Sequence, residues 1–310
     1  MDRTGLAQHV EHALDALKKH DLSLAQKHLD GALGIDFEDP RVVGMLKYLR
    51  FWKERQVSVN NFQSNLEKCD YLMQQWAQFQ IFIERVQLLD DEVFYAFRQL
   101  VFGQSLNFLA VYNNEAGTKD AEVLYRVGVC LKGIGNYDAA RRFLEEANSI
   151  RRDTPAIMAD LADAYALVEE SNLAKVLFRE AFFINPQLVR LETLDSELIL
   201  RLIAAVSKEG FSGPELAEWI PVYGTLLGVF TVKRELRAIE YGKLLQDIYH
   251  LEREYQEGLG RRETLIPHLV NRYFWLLDHY QRNSSEHKRI QETLLKIRSL
   301  APRIYEQYTK

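Results

Sequence analysis

Two stretches of this chain lie 34 residues apart and keep the same small residues in register. "AEVLYRVGVCLKGIGNYDAARRFLEEANSIRRDT" covers 121–154 and "PAIMADLADAYALVEESNLAKVLFREAFFINPQL" covers 155–188. At that offset Gly128 falls on Ala162, Leu131 on Tyr165, Ala140 on Ala174, Leu144 on Phe178 and Ala147 on Ala181. Small residues that recur in this way mark places where two helices cross too closely for a bulky side chain. Each copy reads as helix, short turn, helix, with Gly135-Asn136 as the break in one and Glu170-Ser171-Asn172 in the other. Pro186 stops the last helix. A third copy is expected at 6–39, where Ala13, Ala16, Ala25, Leu29 and Ala32 keep the internal spacing and Pro40 closes the unit.

The distance from Ala32 to Ala147 is not a multiple of the period, so residues 41–120 must hold helices of irregular length. Apolar residues recur there at helical spacing. Asn113-Asn114-Glu115-Ala116-Gly117 reads as the loop before the regular pair. Residues 191–310 continue as helices without the small-residue code. The composition agrees: seven prolines and sixteen glycines leave little material for strands bounded by turns. The expected fold is all-α, with a repeat region over 1–190 and a divergent helical region over 191–310. That second region caps the last apolar face of the array. The sharper alternative is a module that docks a partner through Tyr273, Phe274, Trp275 and the surrounding arginines.

The period and its small-residue places resemble the tetratricopeptide repeat, specifically over 121–188. The bulky aromatic of that family near the start of the first helix is missing, with Leu124 and Met158 in its place. The resemblance implies a right-handed α-α superhelix of antiparallel helix pairs whose concave face binds a peptide or helix of a partner protein. Carried across by position, the inward residues are Glu122, Tyr125, Arg126, Val129 and Lys132 in one copy and Ala156, Ala159, Asp160, Asp163 and Ala166 in the next. In 6–39 they are Ala7, Val10, Glu11, Leu14 and Leu17. Family members that clamp a carboxylate use Lys and Asn there. Only Arg126 and Lys132 are basic here, so a segment with a basic residue opposite Asp160 and Asp163 and an acidic one opposite Arg126 is the better match. The alternative is that these charges form a solvated face.

No constellation points to catalysis. His9 and His12 share a helix face, but no HExxH string and no third ligand at clear spacing follows. His268 and His279 lack an acidic partner at useful spacing. The glycines of "GVCLKGIG" have no strand before them, which excludes a dinucleotide fingerprint. Cys69 and Cys130 make neither a disulfide framework nor a ligand pair and read as packed thiols. The sequence reading is therefore a scaffold without enzymatic activity or cofactor. Its alternatives are an enzyme with an unrecognised site and a helical regulatory subunit.

Charge bears on the partner. The chain carries −5 overall, yet residues 261–310 hold ten Lys and Arg against five Asp and Glu. An acidic body with a basic end argues against a nucleic-acid groove along the molecule and allows a local anionic contact at 261–310. The most apolar stretch, Trp219–Phe230, is too short to span a bilayer, and the N-terminus lacks a signal-peptide pattern. A cytoplasmic location is expected.

Overall fold

A computed structural model describes residues 3–86, 90–116, 120–232, 235–281 and 286–310. Among them the chain is all-α, with fifteen α-helices, two 3-10 turns and no strand. Among the described residues no helix is long and apolar enough to cross a membrane. The chain divides into two compact units, 1–150 and 151–310. The small-residue code ends near 190, but the division falls at 150/151, between the helix pairs of the two copies of the clearest repeat.

The first unit contains α1 (Arg3–Lys18), α2 (Leu22–Ile35), α3 (Pro40–Val59), α4 (Asn65–Val86), α5 (Asp91–Ala116), α6 (Ala121–Gly133) and α7 (Tyr137–Ile150). Consecutive helices pack against each other, and α1 also returns to α5. The expected loop at 113–117 is corrected: α5 continues helical to Ala116, and Gly117 lies outside the described residues. Asn113, Asn114 and Glu115 read as a turn by composition, but a helix already running costs little to extend through such residues. The core of this unit is aromatic. Tyr48, Trp52, Trp76, Phe79 and Phe97 are buried, and Phe79 meets Tyr48, Trp52 and Trp76 with ring centroids 5.2–5.5 Å apart.

The second unit contains α8 (Pro155–Leu167), α9 (Ser171–Ile184), α10 (Glu197–Lys208), α11 (Gly213–Leu226), α12 (Ala238–Glu257), α13 (Arg262–Gln281), α14 (His287–Leu300) and α15 (Pro302–Tyr308). Helix α13 is its axis. It packs on α11, α12 and α14 and buries residues on every side. Tyr273, Phe274 and Trp275 are 1–3% exposed. The docking role considered for these aromatics is therefore corrected, since they form core. Apolar residues on successive helical positions look like an exposed patch only while the surrounding helices are unknown.

The helix pairs α1–α2, α6–α7 and α8–α9 are closely packed hairpins. Ala25, Ala32, Ala140, Ala147, Ala174 and Ala181 are all fully buried. Gly128 has a steric reason as well: a Cβ there would stand 2.5 Å from Leu144 Cγ. The three turns share one backbone device. His20 (φ 64°), Gly135 (φ 84°) and Glu169 (φ 65°) hold the same place in the 34-residue frame, and all three are left-handed. The next N–H then reaches back five residues, from Asp21 to Ala16, Asn136 to Leu131 and Glu170 to Tyr165, at 2.8–2.9 Å. This is the Schellman closure of a helix C-terminus. Only one copy uses the glycine that makes such a residue free of Cβ strain.

Candidate binding site

The seven residues expected to face a partner are not presented together. Tyr125, Val129, Lys132, Asp160 and Asp163 are buried, each 3% exposed or less. Glu122 and Arg126 alone reach solvent. Arg126 grips Asp70 of α4 through two contacts, of 2.5 and 3.0 Å, and also takes Glu122 Oε1 at 2.7 Å. Burial works against the charge of Arg126, but the hydrogen bond to Asp70 and the nearby carboxylates outweigh it and raise the guanidinium above its ordinary value. Glu122, Tyr125, Arg126, Val129 and Lys132 belong to the first compact unit, whereas Asp160 and Asp163 belong to the second.

Asp160 and Asp163 have a different task from either expectation. They form neither a solvated face nor an open acidic pair. Asp163 Oδ2 accepts the N–H of Asp195 and Oδ1 that of Ser196, both at 2.8 Å. Asp160 Oδ2 accepts the Thr193 hydroxyl at 3.2 Å. The two carboxylates, one helical turn apart on α8, fasten the irregular 193–196 segment that leads into α10. Segments without regular structure must satisfy their backbone groups by such means.

Ser196 itself stands at the N-cap of α10. A serine there commonly caps the helix with its own hydroxyl. Here no such bond forms, and Ser196 Oγ is buried without a partner. An unsatisfied buried hydroxyl costs about 1–3 kcal/mol. Ser196 is one of the residues around an open cavity of about 650 Å³ lined wholly by residues of the second unit. The end of α8 contributes Leu167. Ser171 and Lys175 come from α9, and Leu198, Arg201 and Leu202 from α10. Leu227 and Val229 follow α11. Volume, apolar lining and a few converging polar groups are the ordinary attributes of a small-ligand site.

Buried charge continues deeper in the second unit. Arg179 of α9 pairs with Asp278 of α13, donates to Val232 O at 2.8 Å and lies over the Trp275 ring at 4.4 Å. Asn271 and Arg272 donate to the carbonyls of Phe182 and Phe183 and so close the C-terminal end of α9. Burial pushes the Arg272 guanidinium below its ordinary value, although Asp247 and Glu218 act against that. His268 does have an acidic partner: Glu218 of α11 is 3.3 Å away and also accepts from Gln187. The pairing spans fifty residues, a distance at which sequence spacing carries no signal. His279 stacks on Tyr241 with centroids 4.4 Å apart.

In the first unit, His9, His12 and His28 gather where α1 meets α2, with centroids 5.0 and 5.6 Å from His28. Among the described residues no group of three His, Cys, Asp or Glu side chains stands in metal-binding arrangement. Cys69 and Cys130 are buried free thiols. The hydrogen bond to Cys69, together with burial, raises the Cys130 thiol well above its ordinary value.

No protein-family model matches the chain, and no curated protein shows significant similarity to it.

Proposed function

We propose that this protein is an interaction scaffold, a tetratricopeptide-like superhelical array of helix pairs that holds a peptide or helix of a partner protein. The observation that carries the reading is the threefold recurrence of one hairpin. Fully buried alanines, a left-handed turn residue and the same backbone closure recur in one register in α1–α2, α6–α7 and α8–α9. Arrays of this kind stack repeating units and offer extended surfaces rather than a single cleft. The recognition residues differ from those expected, because Asp160 accepts the Thr193 hydroxyl and Asp163 the N–H groups of Asp195 and Ser196. A charged and solvent-reaching group on a first helix is the Glu122–Arg126 pair, which Asp70 of α4 joins and which suits a partner of mixed charge.

The test starts from the intact chain as bait in a lysate of its own cells. Candidate partners are then purified and titrated in a calorimeter. A stoichiometric complex that weakens with Arg126→Glu, while the circular dichroism spectrum is unchanged, supports the reading. If every purified candidate fails to bind, the scaffold reading is lost.

A further inference from the structure

The α1–α2 hairpin departs from its two sister copies at one spot. With the copies aligned on Ala25, Ala140 and Ala174, the places of His9, His12 and His28 are held by Leu124, Val127 and Phe143 in α6–α7. In α8–α9 they are held by Met158, Leu161 and Leu177. All six of those residues are apolar, so the packing of such a hairpin does not call for imidazole there. Gly31 is a further difference, since Glu146 and Glu180 stand at its place. A glycine inside a helix weakens it. What it provides here is close approach: a Cβ at Gly31 would stand 2.6 Å from Cε1 of His9, so the bare backbone of α2 lets that ring lie against it.

Nδ1 of His9 and Nδ1 of His28 consequently come within 3.4 Å of each other. Two imidazole nitrogens on one tetrahedral zinc, each about 2.0–2.1 Å from the ion, stand about 3.4 Å apart. Both rings are half-buried. Burial, and after it His12, His9 and Lys27, holds the His28 pKa below its ordinary value. The neutral imidazole is the form that ligates a metal. In the metal-free chain one of the two nitrogens donates to the other, and the donor ring needs only its other neutral tautomer to become a ligand. These are two ligands in place rather than a complete set of three. His12 is exposed one turn along α1 from His9, with its ring centroid 5.0 Å from that of His28. Rotation of its side chain brings a third nitrogen to the same ion.

We propose that the α1–α2 hairpin binds one transition-metal dication of the zinc type through Nδ1 of His9 and Nδ1 of His28, with His12 as the third ligand and water at the remaining position. Imidazole donors suit zinc, copper and nickel, whereas magnesium and calcium require oxygen ligands. The ion ties the two helices of the hairpin together across the place where the sister copies use apolar contact. The site is independent of the scaffold reading, since it needs only α1 and α2 and no protein partner.

The probes are Zn²⁺ alone and Mg²⁺ alone, each titrated into the metal-free full chain by calorimetry and followed by NMR of the imidazole nitrogens. Zn²⁺ is expected to saturate one site, to shift the His9 and His28 rings and to raise the melting temperature, because only the folded hairpin presents both ligands. Mg²⁺ should do none of this. His28→Phe takes the residue of the α6–α7 copy, and His9→Leu does the same, so both variants suit the fold. Each should weaken Zn²⁺ by at least about tenfold, since a chelate reduced to one fixed ligand loses the advantage of the linked second contact. His12→Val should weaken it by a smaller factor. Gly31→Ala removes no ligand but pushes the His9 ring away from α2, and it too should weaken Zn²⁺. Circular dichroism checks that each variant folds. An absence of saturable Zn²⁺ binding would overturn the proposal. So would Mg²⁺ binding as tightly, an affinity unchanged by His28→Phe or by Gly31→Ala, or shifts concentrated at His20, His250, His268, His279 or His287.

Discussion

The two compact units stabilise helices of similar length with different materials. In the first, Trp76, Phe79 and Phe97 fill the centre, and the ion pair of Arg126 with Asp70 sits nearer the surface. In the second, the centre contains Arg179, Asp278, Arg272 and Glu218 among its leucines and aromatics. An aromatic core tolerates imprecise partners, because dispersion and area burial have no fixed direction. A buried ion pair does not, because a lone member left behind faces the full desolvation cost. The second unit is thus specified by pairings, and the first by volume.

The widest break in that contrast comes from Asp278→Ala in one unit and Phe79→Ala in the other. Each should lose about 3–5 kcal/mol, the first by stranding Arg179 and the second by opening a cavity. The double replacement Arg179→Met/Asp278→Leu should recover most of the loss, whereas adding a second truncation beside Phe79 should deepen it. Denaturant titration with hydrogen exchange resolved by unit reads both. Recovery of less than half in the double variant would contradict specification by pairing.

Next in size is Asp163→Ala, which leaves the N–H groups of Asp195 and Ser196 without their acceptor. A cost of roughly 2 kcal/mol is expected, with faster amide exchange at 193–198. Unchanged exchange there would mean that the turn holds itself.

The two neighbouring copies of the hairpin offer a finer comparison. Gly128→Ala should cost about 1–3 kcal/mol because of Leu144, whereas Ala162→Gly should cost about 1 kcal/mol through helix propensity alone. At the shared turn position, Glu169→Gly should stabilise by about 1 kcal/mol by relieving a left-handed backbone, and Gly135→Ala should do the reverse. Thermal melts give the sign of each. A stabilising Gly135→Ala would break the register argument.

The smallest effect expected is a pH dependence peculiar to the first unit. Desolvation lowers the His28 pKa, with His12, His9 and Lys27 acting in the same direction. In a window just below the ordinary histidine value of about 6.5, the unfolded chain binds the extra proton and the folded chain does not. Stability therefore falls as pH drops through that window, and His28→Gln should flatten the slope. Melts from neutral pH to mild acid compare the two chains, and equal slopes would remove His28 from the account.

What the sequence revealed follows from the range of each interaction. Ala140 and Ala147, or Ala174 and Ala181, act on helices only a turn away in the chain, so their spacing is visible as a period and their full burial agrees with it. Asp160 and Asp163 could not be read in the same way. Their acceptor sites answer donors from an irregular segment some thirty residues later, where no periodicity exists. The pairings of Glu218 with His268 and of Arg179 with Asp278 lie further still beyond any local pattern. Ser196 was hidden for a subtler reason: its sequence context suggests a helix cap, yet the Ile199 N–H turns to the Ser196 carbonyl and the hydroxyl forms no cap bond.

The pairing of Arg179 with Asp278 also decides where this chain can be cut. A fragment that ends at 190, after the last visible repeat, separates Arg179 from Asp278 and Val232, and Asp163 from the Asp195 and Ser196 amides. The α8–α9 hairpin would then carry charges evolved for absent neighbours and would be a poor subject for expression, crystallisation or display on its own. A cut between Ile150 and Arg151 severs none of those bonds. The repeat, though the most conspicuous unit of the sequence, is not the unit of autonomy for this protein's dissection.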